Sequence, residues 1–135
     1  MKPVILGMVK NDIDKDVLDP MYGSGRRLVA IVGRDVFDEY ERMNLLEGDR
    51  WKKFGARRNA YRAIKNLRGR KIMVLGNEVW WALMLPQCHM FHGVECHGST
   101  WYRVPHPSGL NIMYNDENNR RMARDLFRTV AERRM

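Results

Sequence analysis

The chain has few cysteines and no long apolar run. Two cysteines, Cys88 and Cys96, are too few among 135 residues for a disulfide framework. No apolar stretch approaches the length of a membrane span, which is about 18 consecutive residues. The first residues also lack the apolar segment of a signal peptide. We therefore expect a soluble protein of the cytoplasm, with no membrane partner.

Acidic residues are in the minority. The 16 Asp and Glu stand against 24 Lys and Arg, which gives a formal net charge of +8. A charge of this size attracts polyanions, and Arg, which outnumbers Lys, suits phosphate recognition. Nucleic acid is the most common such partner, so the charge favours DNA binding.

The length fits a single domain over residues 1–135, with one core that needs neither disulfides nor a metal. We expect a monomer without a cofactor. Apolar segments typical of strands alternate with helical patterns, which predicts a parallel sheet covered on both faces. The predicted fold is a three-layer α/β/α sandwich with a short, mainly parallel four-stranded sheet. Its strands are predicted at residues 4–8, 43–46, 71–75 and 101–104.

Two longer segments have helical patterns. Residues 51–67 carry apolar side chains at helical spacing among many Lys and Arg. These apolar side chains are Trp51, Phe54, Tyr61, Ile64 and Leu67. The last helix is predicted to begin after Asp116, whose carboxylate suits an N-cap.

Residues 104–111 read Val-Pro-His-Pro-Ser-Gly-Leu-Asn, between a predicted strand and a helical pattern. The two prolines stiffen this segment, and Gly109 allows a backbone geometry that other residues resist. A stiff loop at the carboxyl end of a strand is a favoured place for a ligand site. Its other side chains are those of His106, Ser108, Leu110 and Asn111.

This loop resembles the second signature motif of the uracil-DNA glycosylase superfamily. Members carry His-Pro-Ser-Pro-Leu or Asn-Pro-Ser-Gly-Leu-Asn there, and His106, Pro107, Ser108, Leu110 and Asn111 each match one version or the other. The resemblance implies that His106 is catalytic, donating a hydrogen bond to the leaving base. It implies substrate contacts by Ser108, Gly109, Leu110 and Asn111.

Four further segments resemble the same superfamily, in the right order along the chain. One of them, residues 72–77 followed by Val79-Trp80, is similar to the structural strand-to-helix unit that precedes the second signature. Ile5-Leu6-Gly7-Met8 is similar to the first signature, and residues 20–25 are similar to the segment that brings an aromatic ring against the flipped base. Met43-Asn44-Leu45-Leu46 resembles the strand whose asparagine reads the pyrimidine edge. The resemblance implies that the substrate is bound by Gly7, Met8, Tyr22 and Asn44.

The first signature departs from the family pattern. Members usually carry Pro after its Gly, together with Asp, Glu or Asn to position the attacking water, whereas here Gly7 is followed by Met-Val-Lys-Asn-Asp. Asn11 is the candidate for positioning the water, and Asp12 is the alternative general base. The chain also lacks the four cysteines that hold an iron–sulfur cluster in some branches, so no cofactor is implied.

The resemblance implies a DNA glycosylase that flips uracil or a related pyrimidine out of DNA and hydrolyses the N-glycosidic bond. The alternative is a catalytically inactive relative that binds DNA or a nucleotide, which the altered first signature favours. Arg26, Arg27 and Arg103 are candidates for phosphate contacts.

Residues 88–97 contain two cysteines and three histidines, residue types that can bind zinc. Paired Cys-x-x-Cys is absent, and the spacing does not match a zinc finger. We therefore predict no metal site and expect a loop or hairpin over residues 93–99. A small metal-stabilised interaction protein built around residues 88–97 is the third alternative.

Overall fold

The computed structural model describes residues 2–8, 18–21, 23–46, 51–107 and 112–132. Within these residues the strands are β1 (Val4–Gly7), β2 (Glu41–Asn44), β3 (Lys71–Leu75), β4 (Gly93–Cys96) and β5 (Ser99–Val104). The helices are α1 (Gly23–Val32), α2 (Arg34–Phe37), α3 (Lys53–Asn66), α4 (Asn77–Ala82) and α5 (Glu117–Glu132), with a 3-10 turn at Ile112–Asn115.

The strands form one mixed sheet in the order β2-β1-β3-β5-β4. β1 pairs in parallel with β2 and β3, and β3 pairs in parallel with β5. The predicted α/β class is confirmed, but the predicted count of four strands is wrong, because β4 adds an antiparallel strand beside β5. The two are joined at His97 and Gly98, with φ of 54° and 76°, as a tight hairpin turn requires.

Helices cover both faces of the sheet. Val4 and Leu6 of β1 point into a core that includes residues of α3 and α4. Ile5, between them, points into a second core with α1, α2 and α5. The side chains of β3 also alternate between the two cores. Its residues from Ile72 to Leu75 are therefore all buried, as expected for a central parallel strand.

α5 begins where the sequence predicts. The carboxylate of Asp116 accepts a hydrogen bond from the backbone N–H of Asn118 at 2.7 Å, which confirms Asp116 as its N-cap. β2, in contrast, begins at Glu41, two residues before the predicted strand. Arg42 is accommodated in it because its guanidinium lies over the Phe37 ring at 5.2 Å. No helix in the described part of the chain is long and apolar enough to cross a membrane.

The segment before α1 packs tightly on the first turn of that helix. A Cβ on Gly25 would lie 2.3 Å from the backbone oxygens of both Leu18 and Asp19. The Asp19 carboxylate accepts a hydrogen bond from the Met21 N–H at 2.9 Å, and Arg42 donates to the Leu18 carbonyl at 3.1 Å. Glycine at position 25 therefore permits a close approach of two backbone segments next to the end of β1.

Gly25→Ala is expected to lower the free energy of unfolding by about 1–3 kcal/mol, because neither backbone oxygen can move without displacing its segment. Urea denaturation measures this change. Gly55→Ala is the matched control, since Gly55 lies inside α3 and its Cβ would meet its nearest neighbour, the Lys52 Cβ, at 3.6 Å. Alanine there should leave stability unchanged or raise it by up to about 1 kcal/mol. An equal loss in both variants would contradict the close-packing explanation.

Candidate functional site at the carboxyl edge of the sheet

The parallel strands β2, β1, β3 and β5 end along one edge of the sheet. The Leu45 N–H donates to the Gly7 carbonyl at 2.9 Å, and the Gly76 N–H donates to the Val104 carbonyl at 2.8 Å, so the strand ends are level. β2 lies on one side of β1 and β3 on the other, so the strand order reverses between β1 and β3. In open α/β sheets, ligands bind at this kind of crevice.

Asn44 ends β2 directly beside Gly7 of β1. The two residues are register partners, and a Cβ on Gly7 would lie 2.7 Å from the Asn44 Oδ1 atom. The amide thus lies over a position where any larger residue would displace it. The Oδ1 atom is buried and has no hydrogen-bond partner among the described residues. Such an acceptor costs about 1–3 kcal/mol, which a ligand N–H would offset.

His106 follows β5 and packs on the glycine that follows β3. Its Cβ lies 3.1 Å from the position that a Cβ of Gly76 would occupy, and Gly76 has φ of 92°. Just before it, the Pro105 carbonyl accepts a hydrogen bond from the buried Tyr114 hydroxyl at 2.9 Å. Burial lowers the pKa of His106, which favours a neutral imidazole at physiological pH.

Asn44 and His106 stand on either side of the ends of β1 and β3. β2 and β5 are three strand spacings apart, which is roughly 14 Å. Because burial of the Tyr114 hydroxyl raises its pKa, this group stays protonated and continues to donate to the backbone next to His106.

The structure places four of the predicted site residues along this edge: Gly7, Met8, Asn44 and His106. Met8 is half-buried against the core on the side of α3 and α4, and its carbonyl accepts a hydrogen bond from the Leu46 N–H at 3.1 Å. The remaining predicted site residues lie outside the described part of the chain. They are Asn11, Asp12, Tyr22, Ser108, Gly109, Leu110 and Asn111.

Arg103 has a structural position that sequence reasoning missed. Its guanidinium donates to the Asn77 Oδ1 atom at 2.9 Å and to the Cys88 carbonyl at 2.6 Å. These bonds connect β5 with the start of α4 and with the loop before β4, so Arg103 braces this end of the sheet, and its phosphate contact stays a prediction. Arg26 and Arg27 are exposed on α1.

The Cys and His side chains of residues 88–97 contact backbone and aromatic groups. A ring nitrogen of His97 lies 3.2 Å from the Leu83 carbonyl, and its ring meets the Trp101 ring edge-on at 6.5 Å. The Cys88 thiol points at the His92 carbonyl at 3.7 Å. Within the residues that the structure describes, no three His, Cys, Asp or Glu side chains gather into a possible metal site.

Comparisons of the chain with family models, with curated proteins and with solved structures found no match. A functional proposal therefore rests on the geometry of this edge and on the order of the sequence motifs.

Proposed function

We propose that the protein is a DNA glycosylase-like enzyme that extrudes uracil or a related pyrimidine nucleotide from DNA and hydrolyses its N-glycosidic bond. We also infer that its fold is that of the uracil-DNA glycosylase superfamily. The observation that carries the proposal is the buried Asn44 Oδ1 atom, which has no partner among the described residues and lies over Gly7. It stands on the same sheet edge as His106.

Asn44 supplies the recognition. Uracil and thymine present an N–H between two carbonyl groups, and an asparagine amide presents one acceptor and two donors. The base N–H donates to Oδ1, and a neighbouring base carbonyl accepts from Nδ2. Because Gly7 lets the Asn44 amide lie against the strand end, the side chain that recognises the base is held by packing rather than by a flexible loop.

His106 supplies the stabilisation of the leaving group. As the bond between C1′ and N1 breaks, its electron pair passes to the base, and negative charge grows on a base carbonyl oxygen. The neutral imidazole donates its N–H to that oxygen. An aimed donor of this kind contributes roughly 2–4 kcal/mol in the transition state.

Water completes the reaction by adding to C1′, and its lost proton passes to solvent or to the departing base. The residues proposed to position this water are Asn11 or Asp12, just after β1 in the chain. In the same proposal Tyr22 stacks on the flipped base. Leu110 fills the gap that the base leaves in the duplex, as apolar wedges do in other proteins that deform DNA.

The proposal is tested by incubating the protein with labelled oligonucleotides that carry uracil, mismatched thymine, or deaminated or hydroxymethylated bases. Alkali then cleaves the strand wherever an abasic site has formed. Strand cleavage at one of these bases supports the enzyme, and no cleavage at any of them contradicts it.

A second candidate is a relative that binds DNA or a nucleotide without cleaving it. Met8 favours it, because the family usually carries Pro at this position. Such a protein would bind the same oligonucleotides, and no abasic site would form on any of them.

DNA affinity is expected to fall steeply with salt, because Lys and Arg that neutralise phosphates release counterions. For several phosphate contacts the dissociation constant should rise at least about tenfold between 50 and 200 mM salt. Fluorescence anisotropy of a labelled oligonucleotide measures this dependence. A flat response would show that the net charge of +8 does not serve DNA binding.

A further inference from the structure

The excess positive charge of the chain is concentrated in one segment. Residues 51–70 contain eight Lys and Arg and no Asp or Glu, so this segment alone equals the net charge of +8. Lys and Arg balance Asp and Glu over the rest of the chain. Most of the segment is α3, which covers the side of the sheet that holds Val4 and Leu6.

α3 presents aromatic and cationic side chains in one exposed stripe. Phe54, Arg58, Tyr61 and Lys65 follow one another at intervals of four, three and four residues. At about 100° per residue, all four lie within about 60° of one another around the helix. All four are exposed.

The stripe faces away from the core. The buried residues of α3 are Ala56 and Ala60, which lie on the opposite side of the helix. Phe54 and Tyr61 are therefore 77% and 62% exposed, although both belong to the apolar pattern at helical spacing. Two large aromatic rings on one solvent-facing stripe point to a binding surface.

The cations of the stripe are available to a ligand. Arg58 and Lys65 have no ion-pair partner among the described residues. Arg58 is also four residues from the exposed Arg62, a like-charge pair that disfavours the helix. A bound polyanion relieves this repulsion. By contrast, Arg57 is already used, since it lies over the Trp81 ring at 3.7 Å and donates to the Trp81 carbonyl.

We propose that this stripe of α3 binds single-stranded nucleic acid, with bases stacked on Phe54 and Tyr61 and phosphates at Arg58 and Lys65. The two rings are about 10 Å apart along the helix, about three times the 3.4 Å rise per nucleotide of a stacked strand. A duplex keeps its base faces inside the stack, so only a single strand can offer them to the rings.

The positive charge of α3 and the order of residues along the stripe exclude two other partners for this surface. A second copy of the chain would bring two strongly positive helices together, which is repulsive. A membrane surface favours a continuous apolar face, whereas here a cation separates the two rings. The proposal adds a second contact with nucleic acid to the proposed function and does not depend on base excision.

The test measures anisotropy of fluorescein-labelled oligothymidine with the Phe54→Leu/Tyr61→Leu double variant. Leucine keeps helix propensity and apolar area but removes the ring faces. The dissociation constant should rise at least about fivefold for the single strand and stay unchanged for a duplex of the same length. Binding equal to that of the wild-type protein would overturn the proposal.

A matched charge pair tests the phosphate contact. Arg58→Ala removes a charge from the stripe, and Arg128→Ala removes the same charge from an exposed position of α5, in the opposite layer. The slope of log affinity against log salt should fall by about 0.7 for Arg58→Ala and stay unchanged for Arg128→Ala. Equal effects would overturn the proposal, as would binding to phosphatidylserine vesicles that depends on Arg58 while oligothymidine binding does not.

Failure of this proposal is distinguishable from failure of the proposed function. If base excision proceeds and both stripe variants bind oligothymidine like the wild-type protein, the stripe proposal is wrong and the proposed enzyme activity stands. If oligothymidine binding depends on the stripe and no base is excised, the stripe proposal stands and the proposed enzyme activity is wrong.

Discussion

Replacing His106 by alanine is expected to slow single-turnover base release about a hundredfold or more, with little change in DNA affinity. The lost hydrogen bond strengthens only as the leaving base becomes anionic, so it contributes to the chemical step and not to binding. Alanine keeps the Cβ that packs on Gly76, so the strand end keeps its contact. Quenched-flow assays on the best substrate measure the rate, and anisotropy measures the affinity.

His89→Ala is the control for this substitution, since His89 is an exposed histidine on the loop before β4. It should release the base at the wild-type rate. The pH dependence gives a second check. Burial lowers the pKa of His106 below the ordinary value of about 6.5, so its protonation should not slow release above that pH. Equal rates for His106→Ala and the wild-type protein would remove His106 from the mechanism.

Asn44→Asp is expected to abolish release of uracil or to change which base is released. The substitution keeps the shape of the side chain, and hence its fit over Gly7, but replaces the amide donor by a second acceptor. A carboxylate there would also repel the negative charge that develops on the leaving base. Single-turnover assays with each base of the oligonucleotide screen measure the outcome.

Gln87→Glu is the matched control, because it makes the same amide-to-carboxylate change at an exposed position. It should leave the choice of base unchanged. Unaltered rate and base preference in Asn44→Asp would show that the Asn44 amide does not read the base.

The central strand was predictable in its bounds, whereas the edge strand was predicted only as one of two alternatives, a loop or a hairpin over residues 93–99, of which the structure has the hairpin. β3 has the predicted bounds because its continuous apolar run is typical of a strand buried on both faces. β4 has no such run, since an edge strand is half-exposed and Glu95 interrupts it. Its turn also has positive φ at His97, a residue type that does not by itself predict a hairpin turn.

For the candidate site, the sequence indicated Asn44 and His106 but not their geometry. The motif order indicated Asn44 and His106, but their placement depends on register and on close packing against glycines. The pairing of Gly7 with Asn44, and the buried acceptor that results, become visible only when β1 and β2 are aligned. The helical spacing of Phe54 and Tyr61 was visible in the sequence, but spacing alone cannot tell a core face from a binding face.

Release of free base from DNA tests the central claim most directly. Wild-type protein, His106→Ala and Asn44→Asp are each incubated in excess with a single-stranded oligonucleotide that carries one uracil, and free uracil is measured by mass spectrometry. We predict stoichiometric release by the wild-type protein, release slowed at least about a hundredfold by His106→Ala, and none by Asn44→Asp. Absence of free uracil with the wild-type protein would contradict uracil excision, and equal release by all three proteins would contradict the roles proposed for Asn44 and His106.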